Sequence, residues 1–241
     1  MAQAIVPLKD LVSAKTRLSG LLRPAERRAL AQAMAEDVLS VLSAHPDIDR
    51  VTLVSDDPGA DLLASKYAVD FLDERILDGR GLNQILEKSC DRLCLGGEWP
   101  TLVLHGDLPL LSSDDITAVL REQDASAGLV VGCDRAFKGT NLLAFNVASR
   151  PPFHFGLDSC AKHRRAAEGA GIHVSILSRM GIGLDVDQPA DVALLMCELR
   201  EGRSGHTAEL LLQTELGKRI DMLIPSLDIE NDLAASGGKT L

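Results

Sequence analysis

The sequence predicts an α/β protein with a mostly parallel, twisted sheet between two layers of helices. Short apolar runs alternate with amphipathic segments along most of residues 3–200. Several of these runs stop at a carboxylate that is followed closely by a proline, as at Asp107. Strands that alternate with helices build a parallel sheet covered on both faces, which is a three-layer αβα arrangement.

The composition is that of a globular protein and argues against two broad functional classes. Of the 241 residues, 46% are hydrophobic, and the formal net charge at pH 7 is -10. Nucleic-acid binding needs a surplus of Lys and Arg on one face, so we expect no nucleic-acid partner. The apolar runs are too short for a membrane span, and the N-terminus lacks the pattern of a secretory signal. We therefore expect a cytoplasmic protein that contacts no membrane.

The first half of the chain repeats the order of strand and helix. The clearest element is an amphipathic helix over 25–42, in which Leu30, Met34 and Val38 recur at helical spacing. In chain order we predict a strand at 3–8, this helix, a strand at 51–54, a helix through Leu62 and Tyr67, a strand at 69–72, and a helix from the glycine-bracketed loop at 79–83 to about Cys94.

The second half continues the pattern and ends in a different kind of segment. We predict a strand before Asp107, a helix capped by Ser112 or Ser113, strands at 128–133, 142–145 and 172–177, and helices that open near Phe155 and Pro189. We expect a single domain over 1–204 and a C-terminal extension over 205–241, helical near 208–216 and frayed at its end. The apolar residues of this extension pack either on the body or on a second subunit.

The five cysteines are predicted to be small buried hydrophobic residues. They are odd in number and include no CxxC pair, so neither a disulfide framework nor a zinc site is indicated. They are Cys90, Cys94, Cys133, Cys160 and Cys197.

Two acidic clusters are candidates for a shared Mg²⁺ site. Asp107 follows a buried strand, and Asp185 and Asp187 follow a second apolar segment far downstream. Mg²⁺ is commonly held by one or two carboxylates together with substrate phosphates. If residues 185–187 are extended, alternation points both carboxylates to the same side. The alternative is that Asp187 caps the helix beginning at Pro189 and Asp185 lies on the surface.

A basic loop follows the first strand and is unusual in an acidic protein. Lys9, Lys15 and Arg17 all lie in it, and three cations at this position can neutralise a triphosphate and its leaving pyrophosphate. The loop is neither a Walker A loop nor a GxGxxG turn. The alternative is a solvated basic loop with no ligand.

A further anion site is indicated near residues 140–165. Gly156 and Ser159 at a helix start offer backbone N–H groups and a hydroxyl, and Thr140 adds a second hydroxyl. The run from His163 to Arg165 supplies nearby cations. The alternatives are that Ser159 is an ordinary helix cap and that the cationic run is a solvated helix face.

Taken in order, these motifs resemble those of one known family. They are Ala14–Leu18, Gly81–Asn83, Gly106–Pro109, Asp134–Arg135 with Gly139–Asn141, Phe155–Gly156 with Ser159 and His163–Arg165, and Asp185–Asp187 with Pro189–Asp191. The set resembles the CofC family of guanylyltransferases, which act in biosynthesis of the deazaflavin coenzyme factor 420. Its members share the MobA-like, Rossmann-like fold of nucleotide-diphospho-sugar transferases.

The resemblance implies a reaction and a role for each motif. GTP and a small phosphorylated carboxylic acid, either 3-phosphoglycerate, phosphoenolpyruvate or 2-phospholactate, react to give a guanylylated diphosphate and pyrophosphate. Catalysis rests on positioning and charge neutralisation. The implied catalytic residues are Asp107, Lys15 and Arg17, and the implied metal ligands are Asp107, Asp185 and Asp187. The residues implied to bind the nucleotide are Lys9, Lys15, Arg17, Ser55, Gly81, Asn83 and Asp107. Those implied to bind the acceptor acid are Thr140, Gly156 and Ser159.

Two other functions fit the same motifs. The first is a nucleotidyltransferase that uses another nucleoside triphosphate and a sugar or cofactor phosphate, because one fold hosts all of these reactions. The second is a non-catalytic nucleotide-binding regulator. A homodimer is compatible with the fold, and a monomer is the alternative. The glycine-rich first loop of the broader MobA-like fold is absent, and the acceptor acid is not determined by any single residue.

Overall fold

A twisted sheet of seven strands forms the centre of the molecule in a computed structural model, which describes residues 1–9, 11, 15–93, 99–146 and 149–223. Ala14, Cys94 and the expected frayed end beyond Leu223 lie outside these residues. The strands are β1 (Ala2–Leu8), β2 (Ile48–Ser55), β3 (Asp70–Asp73), β4 (Thr101–Leu104), β5 (Leu129–Cys133), β6 (Thr140–Phe145) and β7 (Val174–Leu177). Their order across the sheet is β3-β2-β1-β4-β6-β5-β7.

The strands run parallel except where β6 takes part. β6 is antiparallel to both of its neighbours, β4 and β5, whereas the remaining four strand pairs are parallel. The predicted mostly parallel sheet is confirmed. Since Leu142 of β6 pairs with Leu104 at the end of β4, β6 begins at the edge where β4 ends.

Helices cover both faces of this sheet. They are α1 (Pro24–Ala44), α2 (Ala60–Lys66), α3 (Gly81–Leu93), α4 (Ser113–Ser126), α5 (Ser159–Gly169), α6 (Met180–Gly183), α7 (Pro189–Arg200), α8 (His206–Leu212) and α9 (Glu215–Leu223). Short 3-10 turns occupy Thr16–Leu18 and Glu74–Ile76. In the described part of the chain, no helix combines the length and the apolarity needed to cross a bilayer.

The alternation of side chains in β1 shows how the layers are held. Val6 packs in a buried cluster with Val38 of α1 and Ile116 of α4, on one face of the sheet. Ile5 packs on the opposite face with Leu86 of α3. Successive side chains of a strand point to opposite faces, so a run that is apolar throughout is buried on both sides. The three-layer αβα prediction is confirmed.

The C-terminal helices α8 and α9 pack on the body of the same chain. Leu211 and Ile220 share a buried cluster with Leu30 of α1 and Leu195 of α7. The predicted helix near 208–216 is divided into two, and Gly217 permits their close approach because a Cβ there would lie 1.9 Å from the carbonyl oxygen of Leu211. The apolar residues of this segment were expected to pack either on the body or on a second subunit. Within the described residues they pack on the body.

The start of α8 is held by a carboxylate from α1. Asp37 Oδ1 accepts a hydrogen bond from the backbone N–H of His206 at 2.7 Å, and Asp37 Oδ2 accepts from that of Thr207 at 3.0 Å. The first N–H groups of a helix have no hydrogen-bond acceptor within the helix, and here the Asp37 carboxylate is the acceptor for two of them. This contact joins the extension to the body.

The predicted burial is correct for Cys90, Cys133 and Cys160 and wrong for Cys197, and the sequence did not indicate the disulfide that joins two of the buried residues. Cys133 at the end of β5 and Cys160 in α5 form a disulfide, with sulfurs 2.19 Å apart. Cys197 is exposed. The two bonded residues are 27 positions apart, and only the packing of α5 against β5 brings them together.

Candidate active site

Asp107 lies at the carboxyl edge of the sheet, beside the end of β1. β4 ends at Leu104, and three residues later the carboxylate of Asp107 meets Lys15, which follows β1. In open α/β sheets, ligands bind outside the carboxyl ends of the strands. The chain therefore brings an acidic and a basic group to the position where such folds bind substrates.

Lys15 connects the two predicted acidic clusters. Its Nζ atom lies 2.5 Å from Asp107 Oδ2 and 2.8 Å from Asp187 Oδ1. The Lys15 side chain is only 7% exposed and its backbone is left-handed, with φ 56°. Positive φ is uncommon for a residue other than glycine and often occurs at a functional site. One ammonium group thus holds carboxylates from two distant parts of the sequence.

The other two cations of the basic loop remain open to solvent. Arg17 Nη1 lies 3.6 Å from Asp187 Oδ2, but its side chain is 71% exposed. Lys9 is exposed directly after β1. Both are therefore free to contact an arriving anion, whereas Lys15 is already paired with two carboxylates.

The charges in this cluster shift each other's pKa values. Burial alone would lower the pKa of Lys15, but the carboxylates of Asp107 and Asp187 outweigh it and the net pKa is raised. Burial alone would raise the pKa of Asp107, but the Lys15 ammonium outweighs it and the net pKa is lowered. For Asp185, burial and the charges of Asp107 and Asp187 outweigh the charge of Lys15 and raise the pKa to about 6.

Asn141 is a member of the cluster that the site prediction missed. It is 3% exposed, and its Nδ2 donates to the carbonyl oxygen of Ile182 at 2.9 Å and to Asp185 Oδ1 at 3.4 Å. It lies in β6, directly after Thr140. A buried amide that donates to a carboxylate fixes the orientation of that carboxylate. The sequence feature that could have identified Asn141 as a site residue is its position within the Gly139–Asn141 motif.

Asp185 and Asp187 do not lie in a strand, so the alternation expected for an extended segment does not apply to them. They occupy the irregular segment between α6 and α7. The N-cap of α7 is Gln188 and not Asp187, and Asp191 accepts from the backbone N–H groups of Asp187 and Gln188 at 3.1 and 2.8 Å. Asp191 therefore organises the backbone, which leaves the Asp187 carboxylate to Lys15 and Arg17.

The turn before α5 contains Gly156 and Ser159, two of the residues predicted to bind an anion. Gly156 has φ 119°, and no atom lies within 4 Å of the position that a Cβ would occupy there. Its carbonyl oxygen accepts from the N–H of Ser159 at 3.2 Å, and Ser159, 1% exposed, is the first residue of α5. Helix N-termini attract anions, but the N–H groups of Ser159 and Cys160 already donate to the carbonyl oxygens of Gly156 and Lys138. The anion site at this turn stays a prediction.

The prediction that residues 163–165 supply three cations is wrong for His163. His163 is fully buried, and burial first and the neighbouring His154 second lower its pKa to about 4, so the ring is neutral at pH 7. Arg164 lies 3.8 Å from Glu168, and Arg165 Nε donates to the carbonyl oxygen of Ala161. His163 is therefore not a cation at the predicted anion site, whereas Arg164, beside Glu168, and Arg165 are both exposed.

Aromatic rings connect the carboxylates to this anion site. The ring of Phe155 lies edge-on between His105 and His163, with both centroid distances 5.1 Å. His105 precedes Asp107 by two positions, and burial lowers its pKa, so it too is neutral. The carboxylate cluster and the predicted anion site are therefore separated by a single phenylalanine ring.

The remaining predicted nucleotide-binding residues differ in their surroundings. Both ends of the Asn83 amide bond the backbone of Phe155, with Oδ1 accepting at 2.8 Å and Nδ2 donating at 3.1 Å. Gly81 begins α3 with φ 74°. Ser55 is fully buried at the end of β2, and its hydroxyl oxygen accepts from the N–H of Asp57. Asn83 thus lies beside the anion site, and Ser55 has no open side.

The donor set fits a divalent cation with few protein ligands. Asp107 Oδ1 is buried and has no hydrogen-bond partner among the described residues. No three acidic, histidine or cysteine side chains in the described ranges are spaced to enclose a metal ion by themselves, and Lys15 lies between two of the candidate carboxylates. Mg²⁺ needs only one or two carboxylates when substrate phosphates complete its shell, and carboxylate oxygen is the ligand it prefers.

An open α/β sheet with a lysine–carboxylate cluster at its carboxyl edge is the arrangement expected of a nucleotide-binding enzyme, and the comparisons with known proteins give the class as nucleotidyltransferase. A family model described as "Guanylyl transferase CofC like" matches residues 2–220. The chain belongs to this family of guanylyltransferases.

Relatives of known name agree with this assignment. The phosphoenolpyruvate guanylyltransferase of Conexibacter woesei is 37% identical over 213 residues, which cover 87% of this chain and 95% of that protein. The 3-phospho-D-glycerate guanylyltransferase of Phenylobacterium zucineum is 33% identical over 222 residues, covering 88% of this chain and 95% of that protein.

A solved structure supports the fold. A crystal structure from Desulfovibrio desulfuricans, provisionally named a nucleotide-diphospho-sugar transferase, matches with a TM-score of 0.76. The match covers 94% of this chain and 98% of that chain at 18% identity. At this identity the similarity concerns architecture, and it confirms the predicted α/β fold.

Proposed function

We propose that this guanylyltransferase transfers GMP from GTP to the phosphate of phosphoenolpyruvate, releasing pyrophosphate. The observation that carries the proposal is the cluster at the sheet edge, where Lys15 joins Asp107 to Asp187 and the anion site before α5 lies one ring away. A cluster that balances charge next to an anion site suits a reaction between two phosphorylated molecules.

The reaction exchanges one phosphate bond for another. A phosphate oxygen of the acceptor attacks the α-phosphorus of GTP, the new P–O bond forms, and the bond to the β-phosphate breaks so that pyrophosphate leaves. No residue needs to form a covalent intermediate, because the acceptor phosphate is already ionised at neutral pH. The protein contributes by aligning two anions and neutralising their charge.

The carboxylates are proposed to bind Mg²⁺. Asp107, through its unpaired Oδ1, and Asp185 and Asp187 would hold the ion, which supplies charge neutralisation at the α-phosphate when bound. Asn141 orients Asp185 by donating to its Oδ1. Lys15 limits the repulsion between Asp107 and Asp187, so that the carboxylates stay close together before substrate binds.

The two substrates are assigned to opposite sides of the cluster. Lys9 and Arg17, the exposed cations after β1, would contact the β- and γ-phosphates and stabilise the leaving pyrophosphate. Thr140, Gly156 and Ser159 would bind the acceptor acid at the turn before α5. This assignment places the acceptor phosphate between that turn and the carboxylates.

Phosphoenolpyruvate is chosen among the three acids that the family resemblance implies. The relative with 37% identity carries that name, whereas the 3-phosphoglycerate enzyme is 33% identical. We further propose that the protein acts in the cytoplasm, where GTP and glycolytic acids are abundant. A role in making coenzyme factor 420 follows from the family.

The test is pyrophosphate release with GTP and Mg²⁺ and each of the three acids in turn. We expect turnover with phosphoenolpyruvate and a ³¹P spectrum of a new diphosphate. ATP, CTP and UTP in place of GTP test the alternative of another nucleotide. Turnover only with another acid would overturn the acceptor assignment. GTP binding without turnover in any mixture would favour the non-catalytic regulator.

A further inference from the structure

Thr140, His163 and His154 form a buried hydrogen-bond chain beside the proposed acceptor site. The Thr140 Oγ1 atom lies 3.0 Å from His163 Nδ1, and His163 Nε2 lies 2.8 Å from the backbone nitrogen of His154. Thr140 is 4% exposed and His163 is fully buried. The chain thus runs from the first residue of β6, through α5, to the segment before Phe155.

The backbone of His154 determines which ring nitrogen carries the proton. A backbone N–H can only donate, so His163 Nε2 must accept and carries no hydrogen. In a neutral imidazole the other nitrogen, Nδ1, then holds the proton. Burial and the neighbouring His154 lower the pKa of His163 to about 4, which keeps the ring in this neutral state.

The consequence falls on Thr140. Since Nδ1 of His163 is a donor, it offers its proton to the Thr140 oxygen at 3.0 Å, with the Ser159 carbonyl as a second acceptor, and the Thr140 hydroxyl cannot direct its own proton to that nitrogen. No other side-chain or backbone acceptor within the described ranges bonds this hydroxyl. The proton is therefore left for a ligand.

We propose that His163 is a positioning residue that commits the Thr140 hydroxyl to donate its proton to a carboxylate or phosphate oxygen of the acceptor acid. This rests on the proposed function. A hydroxyl is ordinarily both donor and acceptor, and fixing its role favours a ligand with acceptor oxygens and disfavours one that presents a hydroxyl proton at the same place.

The surroundings protect this arrangement from water. The Phe155 ring packs edge-on against His163, with the ring centroids 5.1 Å apart, and the ring of His154 lies 5.9 Å away. The Phe155 backbone is held in turn by the Asn83 amide. The chain of bonds therefore keeps one orientation before the acid arrives, which reduces the entropy lost on binding.

The first experiment measures the tautomer directly in the folded enzyme. ¹⁵N chemical shifts of His163 in labelled protein at pH 7 are expected to show a protonated Nδ1 and an unprotonated Nε2. The signal is assigned by its loss in the His163→Gln variant. A protonated Nε2 would overturn the proposal whatever the activity of any variant.

The second experiment is a double-mutant cycle on the KM for phosphoenolpyruvate. Thr140→Val removes a hydrogen bond to a charged group, and we expect the KM to rise about 10- to 100-fold. His163→Leu leaves the hydroxyl free to rotate, and we expect a rise of roughly 3- to 10-fold. In the Thr140→Val background His163→Leu should add less than about 2-fold, because both changes act through the same proton. The KM for GTP should stay within about 2-fold throughout.

A conservative variant separates positioning from packing. The amide of His163→Gln carries one donor and one acceptor, and only one orientation satisfies both the His154 N–H and Thr140, so the KM should return to within about 2-fold of the wild-type value. If the variants are folded and their effects on the KM are additive, the proposal for His163 is overturned, and the proposed function is not affected. If no acid turns over, the proposed function fails, and this proposal fails with it.

Discussion

Lys15 Nζ lies 2.5 Å from Asp107 Oδ2, although 92 positions separate the two residues in the sequence. The contact joins the loop after β1 to the end of β4, which are neighbours in the sheet. It combines a residue predicted to contact nucleotide phosphates with one predicted to bind metal. Before substrates bind, the two groups neutralise each other.

Replacing Asp107 by Asn should abolish most activity without unfolding the protein. The change keeps the shape but removes one negative charge and the unpaired carboxylate oxygen, so we expect the kcat to fall by about 100-fold or more. Pyrophosphate release measures the loss, and circular dichroism checks the fold. Asp124→Asn, at an exposed position of α4, is the matched control and should keep full activity. A folded, active Asp107→Asn enzyme would contradict the assignment.

Replacing Lys15 should cost more than replacing Arg17. Lys15→Met leaves Asp107 facing Asp187 without the ammonium group that lowers the pKa of Asp107, so the carboxylates spread and we expect kcat/KM to fall about 100-fold. Arg17→Gln removes a largely exposed side chain 3.6 Å from Asp187, and we expect a loss below about 10-fold. Steady-state kinetics with varied GTP gives both values. Equal losses would show that Lys15 acts only as one more surface charge.

Two asparagines should affect different substrates. Asn141→Ala releases Asp185 from its amide donor, and we expect the Mg²⁺ concentration for half-maximal rate to rise about 10-fold. Asn83→Ala frees the Phe155 backbone at the anion site and should raise the KM for the acid, with the Mg²⁺ requirement unchanged. Mg²⁺ and acid titrations of both variants test this. A Mg²⁺ requirement shifted equally in both variants would refute the separation.

The stability should depend on pH through His163. Its pKa is about 4 in the folded protein and near the ordinary value of about 6.5 when unfolded. Between these values the unfolded chain binds the extra proton and the folded protein does not, so the contribution of His163 to stability falls as the pH drops from 6.5 towards 4. The loss amounts to about 2–4 kcal/mol.

Denaturant unfolding at several pH values measures this effect. The His163→Gln variant serves as the control because its amide does not titrate. Both proteins share the opposing contribution of Asp185, whose pKa is raised, so the measured quantity is the difference between them. The free energy of unfolding of the wild type minus that of the variant should fall by about 2–4 kcal/mol over the same interval. Parallel curves for the two proteins would rule out the assignment of the effect to His163.

The disulfide should stabilise the fold measurably. It closes a loop with a sequence separation of 27 and ties α5 to the end of β5, so Cys160→Ser should lower the free energy of unfolding by about 2–4 kcal/mol under oxidising conditions. Cys197→Ser, at an exposed position, should change it by less than about 0.5 kcal/mol. Thiol titration of the native protein before and after reduction gives an independent check, and no change on reduction would disprove the bond.

The sheet and its acidic edge could be predicted because their signals are local. Each apolar run defines one strand, and the polar residues at its end must lie at the sheet edge wherever the strand sits. Asp107 and the basic loop were found in this way. The helix of α1 was equally clear, because its apolar face and Pro24 depend only on neighbouring residues.

The parts that were missed depend on contacts between distant segments. Nothing near His163 in the sequence indicates that a backbone N–H of His154 and the ring of Phe155 make it neutral. The Cys133–Cys160 bond needs α5 to pack on β5, and the role of Asn141 needs β6 to lie next to the segment that carries Asp185. The spacing of residues along the chain gives no information about these three contacts.

The reversed direction of β6 has a consequence for how new substrate preferences can arise. Because β6 starts where β4 ends, the hairpin loop 134–139 between β5 and β6 lies at the rim of the site. Within it, the Arg135 N–H donates to the Gly183 carbonyl, and the Lys138 carbonyl accepts from the Cys160 N–H. Lengthening this loop would reshape the entrance for the acid while every strand keeps its register. It is thus a natural place for insertions when the enzyme is redesigned for bulkier acceptors.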